Sequence, residues 1–244
     1  MFKGKYKIAD KVVEINSIYI QVQDLCADYS CDDNADFSVT VSQSDIDFER
    51  DKSAAEDIKE GIPTRVFSDS YLETLAVYRQ ITEHLLDDDV LLFHGSVIAV
   101  DGEGFLFTAK SGTGKSTHTR LWRKFFGERA FMVNDDKPLI RLTDNGAVVY
   151  GTPWDGKHRL STNTSVPLRA ICILERSAEN HINKITRKDA YAMLMQQTHR
   201  PGNAVKMAKT LTLIDRLGEN VSLYRLGCNM DISAAEVAYN GMKG

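Results

Sequence analysis

Ala109-Lys110-Ser111-Gly112-Thr113-Gly114-Lys115-Ser116 is the stretch that decides how this chain folds. Gly104-Phe-Leu-Phe-Thr-Ala109, just upstream, is a short apolar run of strand type. Downstream, Lys115 to Phe126 has helical spacing, with Leu121, Trp122, Phe125 and Phe126 on or near one face. A loop set between such a strand and helix aims unpaired N–H groups at phosphate, and the helix amino end adds partial positive charge. Gly112 and Gly114 let the chain curl without a Cβ in the way. The expected ligands are ATP and Mg²⁺. Ser111, Gly112, Thr113 and Gly114 would wrap the phosphates, Lys115 would reach the β- and γ-phosphates, and Ser116 would ligate the metal. Thr117 either donates to an α-phosphate or sits on the helix surface. Ala109 stands where the strict pattern has glycine, so the relaxed form is the one satisfied.

The chain has 244 residues, enough for one large α/β domain or a core with a smaller lobe. Hydrophobic residues make up 43% and charged residues 26%, as in ordinary globular proteins. A net charge of −4 argues against a non-specific nucleic-acid binder. Cys26, Cys31, Cys172 and Cys228 form no C-x-x-C pair and read as reduced thiols. With no apolar run behind Met1-Phe-Lys-Gly-Lys-Tyr-Lys7 and no segment of ~20 apolar residues, the expectation is a cytoplasmic protein without membrane contact.

Residues 1–68 read as a small, strand-rich N-terminal lobe. Val12–Ile15, Ile18–Val22 and Phe37–Val41 have strand character, separated and followed by polar, acid-rich stretches. From residue 69 to 244 the pattern is that of a core. A helix is predicted over Ser68–Asp87, and strands over Val90–Phe93 and Val97–Val100. Asp101-Gly102 forms a hairpin turn into the strand before the phosphate loop. Further strands follow at Ala130–Val133, on either side of the Asp144-Asn-Gly146 turn, at Ala170–Leu174 and at Val221–Leu226. Helices are predicted over 187–197, 203–217 and from Ser233.

Binding phosphate is not phosphoryl transfer, which also needs metal ligands and a group to orient the acceptor. Asp135 and Asp136 end an apolar strand about twenty residues past the loop, where an adjacent parallel strand would put carboxylates beside Mg²⁺. One would hold the metal and the other would accept the proton of an attacking hydroxyl. The competing reading is a polar turn capped by Asp135. His94 closes the strand before Gly95, as a structural residue or a catalytic one.

The order His94-Gly95, Ala109–Ser116, Asp135-Asp136 resembles the catalytic core of HPr kinase/phosphorylase, a bacterial serine kinase family. That family shares a phosphate-loop core with phosphoenolpyruvate carboxykinase. Arg200-Pro-Gly-Asn203 is similar to its arginine-bearing loop. The resemblance implies an α/β fold with a mixed sheet and flanking helices. In it Asp135 would be the general base, Asp136 would lie nearer the metal, and His94 would sit near the transferred phosphate. Arg200 would be a mobile charge closing over it. The family's glutamate-bearing signature is absent; Gly151-Thr-Pro-Trp-Asp-Gly-Lys-His-Arg159 stands there, with Asp155 as a substitute metal ligand. Lys157, His158 and Arg159 either face phosphates or are solvated charges. The chain looks closer still to HPr-kinase-like proteins encoded beside bacterial peptide-modification systems. The implied activity is transfer of the γ-phosphoryl group of ATP to a hydroxyl, serine on a protein or peptide, with homo-oligomerisation open. Two other readings stand beside it, a carboxykinase-like enzyme acting on a small acid and an ATP-binding regulator without catalysis.

Overall fold

The computed structural model describes residues 1–110, 112–156 and 158–243, so Ser111 and Lys157 lie outside the described residues. Backbone contacts divide the chain into two compact units, Met1–His84 and Leu85–Gly244.

In the first unit, β1 (Phe2–Ile8) pairs antiparallel with β2 (Lys11–Ser17), and β2 pairs parallel with β3 (Phe37–Thr40). Helices α1 (Gln21–Cys26), α2 (Gln43–Glu60) and α3 (Asp69–Leu85) complete it. Its content therefore differs from the strand-rich expectation. The acid-rich stretch is the 18-residue α2, opened by a capping box between Ser42 and Asp45. Of its three buried residues only Ile46 is apolar; Glu49 and Asp57 are held by Arg79 and Arg65. Apolar periodicity was therefore too weak to reveal a helix. Ile18–Val22 is not a strand either. The Glu73 carboxylate takes the N–H groups of Ile18 and Tyr19, and the chain turns there into α1. Through Glu73 and Arg79, α3 groups with this unit, whereas the sequence reading opened the core at residue 69.

The second unit is a curled mixed sheet. Its strands are β4 (Val90–Leu92), β5 (Ser96–Val100), β6 (Glu103–Thr108), β7 (Ala130–Asn134), β8 (Leu139–Thr143), β9 (Gly146–Tyr150), β10 (Ser165–Arg176), β11 (His181–Lys184) and β12 (Ser222–Cys228). The path runs β4-β8-β9-β10-β6-β5-β7, and β12, with β11 on its far side, joins β10. The twelve-residue β10 makes the curl. Its first residues pair antiparallel with β9, while its later ones lie parallel between β6 and β12.

Alternation along the strands feeds a core on each face of the sheet. Phe105 and Phe107 of β6 join Trp122 and Phe126 of α4 (Lys115–Phe126) and Ala235, Ala238 and Met242 of α7 (Ser233–Lys243). Leu106, between those phenylalanines, joins Leu194 of α5 (Arg187–Gln197) and Leu213, Ile214 and Leu217 of α6 (Ala204–Asn220). Anchored by Trp122, which is fully buried, α4 keeps its first turn fixed at the end of β6.

Among the described residues, no helix is long and apolar enough to cross a membrane.

Candidate active site

Strands β6, β10 and β12 are mutually parallel, and β7 shares their direction because both β6 and β7 are antiparallel to β5. The carboxyl ends of β6 and β7 and the amino end of β5 therefore emerge on one edge, where α/β sheets gather ligands. This corrects one detail of the sequence reading. The acid-bearing strand is not adjacent to β6, because the antiparallel β5 lies between them. That intervening strand places His94 and Ser96 among the catalytic candidates.

At the end of β6 the loop turns through Gly112 (φ 74°) and Gly114 (φ 123°) into α4. Both conformations strongly favour glycine, and a Cβ built on Gly112 would meet nothing within 4 Å, so the loop faces open space there. Thr113 is tied inward, its N–H and hydroxyl both donating to the Lys110 carbonyl (3.2 and 2.8 Å). From the end of β10, Arg176 donates to the Gly112 carbonyl (2.6 Å). Residues Lys115, Ser116 and Thr117 form the first turn of α4, with the Ser116 side chain exposed. Open glycine backbone, a helix amino end and a free-standing serine hydroxyl fit a triphosphate with Mg²⁺. Burial pulls the Lys115 pKa below its ordinary value, partly offset by the charges of Asp136 and Asp135.

At the end of β7, Asn134 organises the turn. Its Oδ1 accepts from the N–H groups of Asp136 (2.9 Å) and Lys137 (2.7 Å), and its Nδ2 donates to Thr152 Oγ1 (3.0 Å). Capping thus falls to Asn134, which leaves both carboxylates outside the turn. Asp135 receives the Ser96 hydroxyl, 2.9 Å from its carbonyl and 3.3 Å from Oδ1. Burial raises its pKa, against the Ser96 hydrogen bond and the charges of His158 and Arg123. Asp136 differs. Burial also pushes it upward, but the hydrogen bond from His94 and the charge of Lys137 win, holding it well below the usual carboxylate range. His94 Nε2 lies 3.1 Å from Asp136 Oδ1, and Lys137 Nζ 2.7 Å from Oδ2. The pair is an ionised acid beside one that holds its proton more tightly, a division of labour suited to metal binding and proton acceptance.

His94 itself is fixed by backbone. Its N–H donates to the Gln197 carbonyl (2.7 Å), and the His199 N–H donates to Leu92 (2.9 Å). A Phe93–Thr198 bridge completes this short ladder. It brings the chain before Arg200 alongside His94; Arg200 is exposed, and Asn203 then caps α6. Asp155 stands apart. Its carboxylate accepts from the N–H (3.3 Å) and hydroxyl (2.9 Å) of Ser161, closing the 155–161 loop. Within that loop Gly156 approaches Asp135 so closely that a Cβ would fall 2.8 Å from Oδ2. Trp154 is buried. Among the described residues no three His, Cys, Asp or Glu side chains converge as a preformed metal cage. Phosphate-bound Mg²⁺ needs none, taking one or two protein ligands together with phosphate oxygens and water.

A cavity of about 410 Å³ opens beside Asp135, lined by Ser116, Thr117, Thr119, Arg120, Arg123, His158 and Leu160. The sequence reading singled out neither arginine. The signal was present, since Arg120 and Arg123 follow Ser116 at i+4 and i+7 and share its helix face. Ser96 was also missed, because only the sheet order brings it to the acids, and Lys137, although it directly follows Asp136, was passed over.

No curated protein matches the chain. A structure of the Hpr(Ser) kinase/phosphatase from Coxiella burnetii aligns with 63% of this chain and 99% of its own, at 10% identity and a TM-score of 0.35. A family model does match, over residues 67–217, the span that carries His94, the phosphate-type loop, both aspartates and Arg200. The chain belongs to the family described as SynChlorMet cassette protein ScmC.

Proposed function

We propose that this protein is an ATP- and Mg²⁺-dependent kinase that transfers the γ-phosphoryl group to a hydroxyl, serine on a protein or peptide. One observation carries the reading. The amino end of α4, with Lys115 and Ser116, shares a sheet edge with Asp135 and Asp136, and Ser116 and Asp135 line one cavity. Amides of residues 112–116 and Lys115 would hold the phosphates, and Ser116 and Asp136 would hold Mg²⁺. The metal would neutralise charge on the phosphate oxygens. Asp135 would accept the proton of the attacking hydroxyl, its raised proton affinity matching that task. His94 would keep Asp136 oriented, and Arg200 would bring a positive charge from the neighbouring loop. Asp155, engaged by Ser161, would act on the metal only if that loop opens.

Label transfer from γ-labelled ATP to candidate serine proteins and peptides tests this reading. Lys115→Ala and Asp135→Asn should abolish transfer; transfer unchanged in both variants would end the proposal.

A further inference from the structure

The cavity along α4 is more than an extension of the phosphate loop. Ser116, Arg120 and Arg123 stand in a row on one helix face, and all three line the cavity together with Asp135 and His158. A hydroxyl attacking the γ-phosphate must touch Asp135. Whatever carries that hydroxyl then extends along the arginines.

The lining is cationic. Among the described residues Asp135 is the acid on this wall, facing two guanidiniums and an imidazole. Arg123 Nε is shut off from solvent and has no hydrogen-bond partner. No ion pair to Arg120 or Arg123 occurs among the described residues. A buried guanidinium N–H without an acceptor is costly, and arginine's planar fork suits a carboxylate. The volume falls in the range of small-ligand sites, enough for a few side chains of a peptide.

We infer that this cavity is the acceptor subsite and that it selects a serine flanked by acidic residues, with Arg120 and Arg123 gripping the neighbouring carboxylate. The inference rests on the kinase reading for the word acceptor, but its anion selectivity is measurable without transfer.

Two fluorescein-labelled peptides, identical except for glutamates or glutamines beside one serine, provide the probe. Fluorescence anisotropy follows their binding in the presence of Mg²⁺ and a non-hydrolysable ATP analogue. The glutamate peptide should bind roughly tenfold tighter, the scale of one charge-assisted hydrogen bond. Arg120→Gln and Arg123→Gln should each erase most of that preference while leaving affinity for a fluorescent ATP analogue unchanged. Arg120 is exposed, so its variant stays informative should Arg123→Gln disturb folding. Equal affinity for the two peptides would overturn the inference. So would a preference that survives both substitutions, or a loss of nucleotide affinity with peptide binding intact. Labelled-phosphate transfer to the same peptides separates the two ideas. Equal transfer to both peptides sinks the acidic subsite and spares the kinase. Selective binding without transfer to any serine sinks the kinase and spares the anion site.

Discussion

His94 Nε2 sits 3.1 Å from Asp136 Oδ1, joining a residue two positions before β5 to one two positions beyond β7. This contact extends the antiparallel pairing of β5 with β7 beyond the last backbone partners. It also separates the proton affinities of two neighbouring acids, since Asp136 is pulled down by His94 and Lys137 while burial raises Asp135.

Removing that hydrogen bond should impair turnover more than binding. His94→Ala is expected to lower kcat by about 10–100-fold, corresponding to the ~1.5–3 kcal/mol of a hydrogen bond to a charged group. ATP affinity should change little. Steady-state kinetics on an accepted peptide checks this, and an unchanged kcat would assign His94 a purely structural role.

Gly114 takes φ 123°, a backbone region that L side chains rarely adopt. Gly114→Ala should destabilise the loop by about 1–3 kcal/mol and weaken nucleotide binding. Space is not the obstacle, because the nearest atom to a built Cβ is the Thr117 Cβ at 4.0 Å. Titration with a fluorescent ATP analogue is the measurement, and wild-type affinity would contradict the claim that backbone geometry makes this site.

His118 should make stability depend on pH. Burial lowers its pKa from 6.5 to about 4, and Trp122 Nε1 donates to its Nε2 at 3.0 Å. Between these values the unfolded chain binds a proton that the folded chain refuses. Stability is thus fully present above about pH 6.5 and is lost as pH falls toward about 4, by on the order of 3 kcal/mol. Gln in place of His118 keeps an acceptor for Trp122 but does not titrate. Urea midpoints measured across that window should fall less steeply for His118→Gln than for the wild type; matching slopes would refute the assignment.

Arg79 holds Glu49, whose side chain is only 3% exposed, through Nε at 2.6 Å. Arg79→Ala leaves that carboxylate buried with only Lys52, at 3.6 Å, to offset its charge and should cost about 3 kcal/mol. Arg79→Leu combined with Glu49→Leu should recover much of the loss, because an apolar pair has no charge to strand. Chemical denaturation followed by circular dichroism tests both, and a double variant no more stable than Arg79→Ala would count against a charge origin.

Local signals made much of this molecule legible. Apolar runs and the Asp101-Gly102 turn delivered the β5–β6 hairpin, where both residues have positive φ. The helix predicted from Lys115 to Phe126 is α4, residue for residue. These elements depend on contacts within a few residues, so periodicity and turn chemistry report them directly. Helix α2 escaped because its buried face is held by ion pairs to distant arginines, which no period reveals. Strand β11 escaped because its four residues are mostly exposed and owe their extension to β12.

By itself the sequence determined that a glycine loop lies between a strand and a helix, and that paired acids end a later strand. Steric freedom at glycine and the alternation of apolar side chains are local properties, written in neighbouring residues. Sheet order was decided only in the tertiary structure. Inserting β5 between β6 and β7 brings His94 and Ser96 to the two aspartates. His158 and Leu160 then line, with residues of α4, a cationic cavity around Asp135. These pairings join residues many positions apart, and their energy comes from burial and from charges desolvated together, so it exists only once the whole sheet has formed.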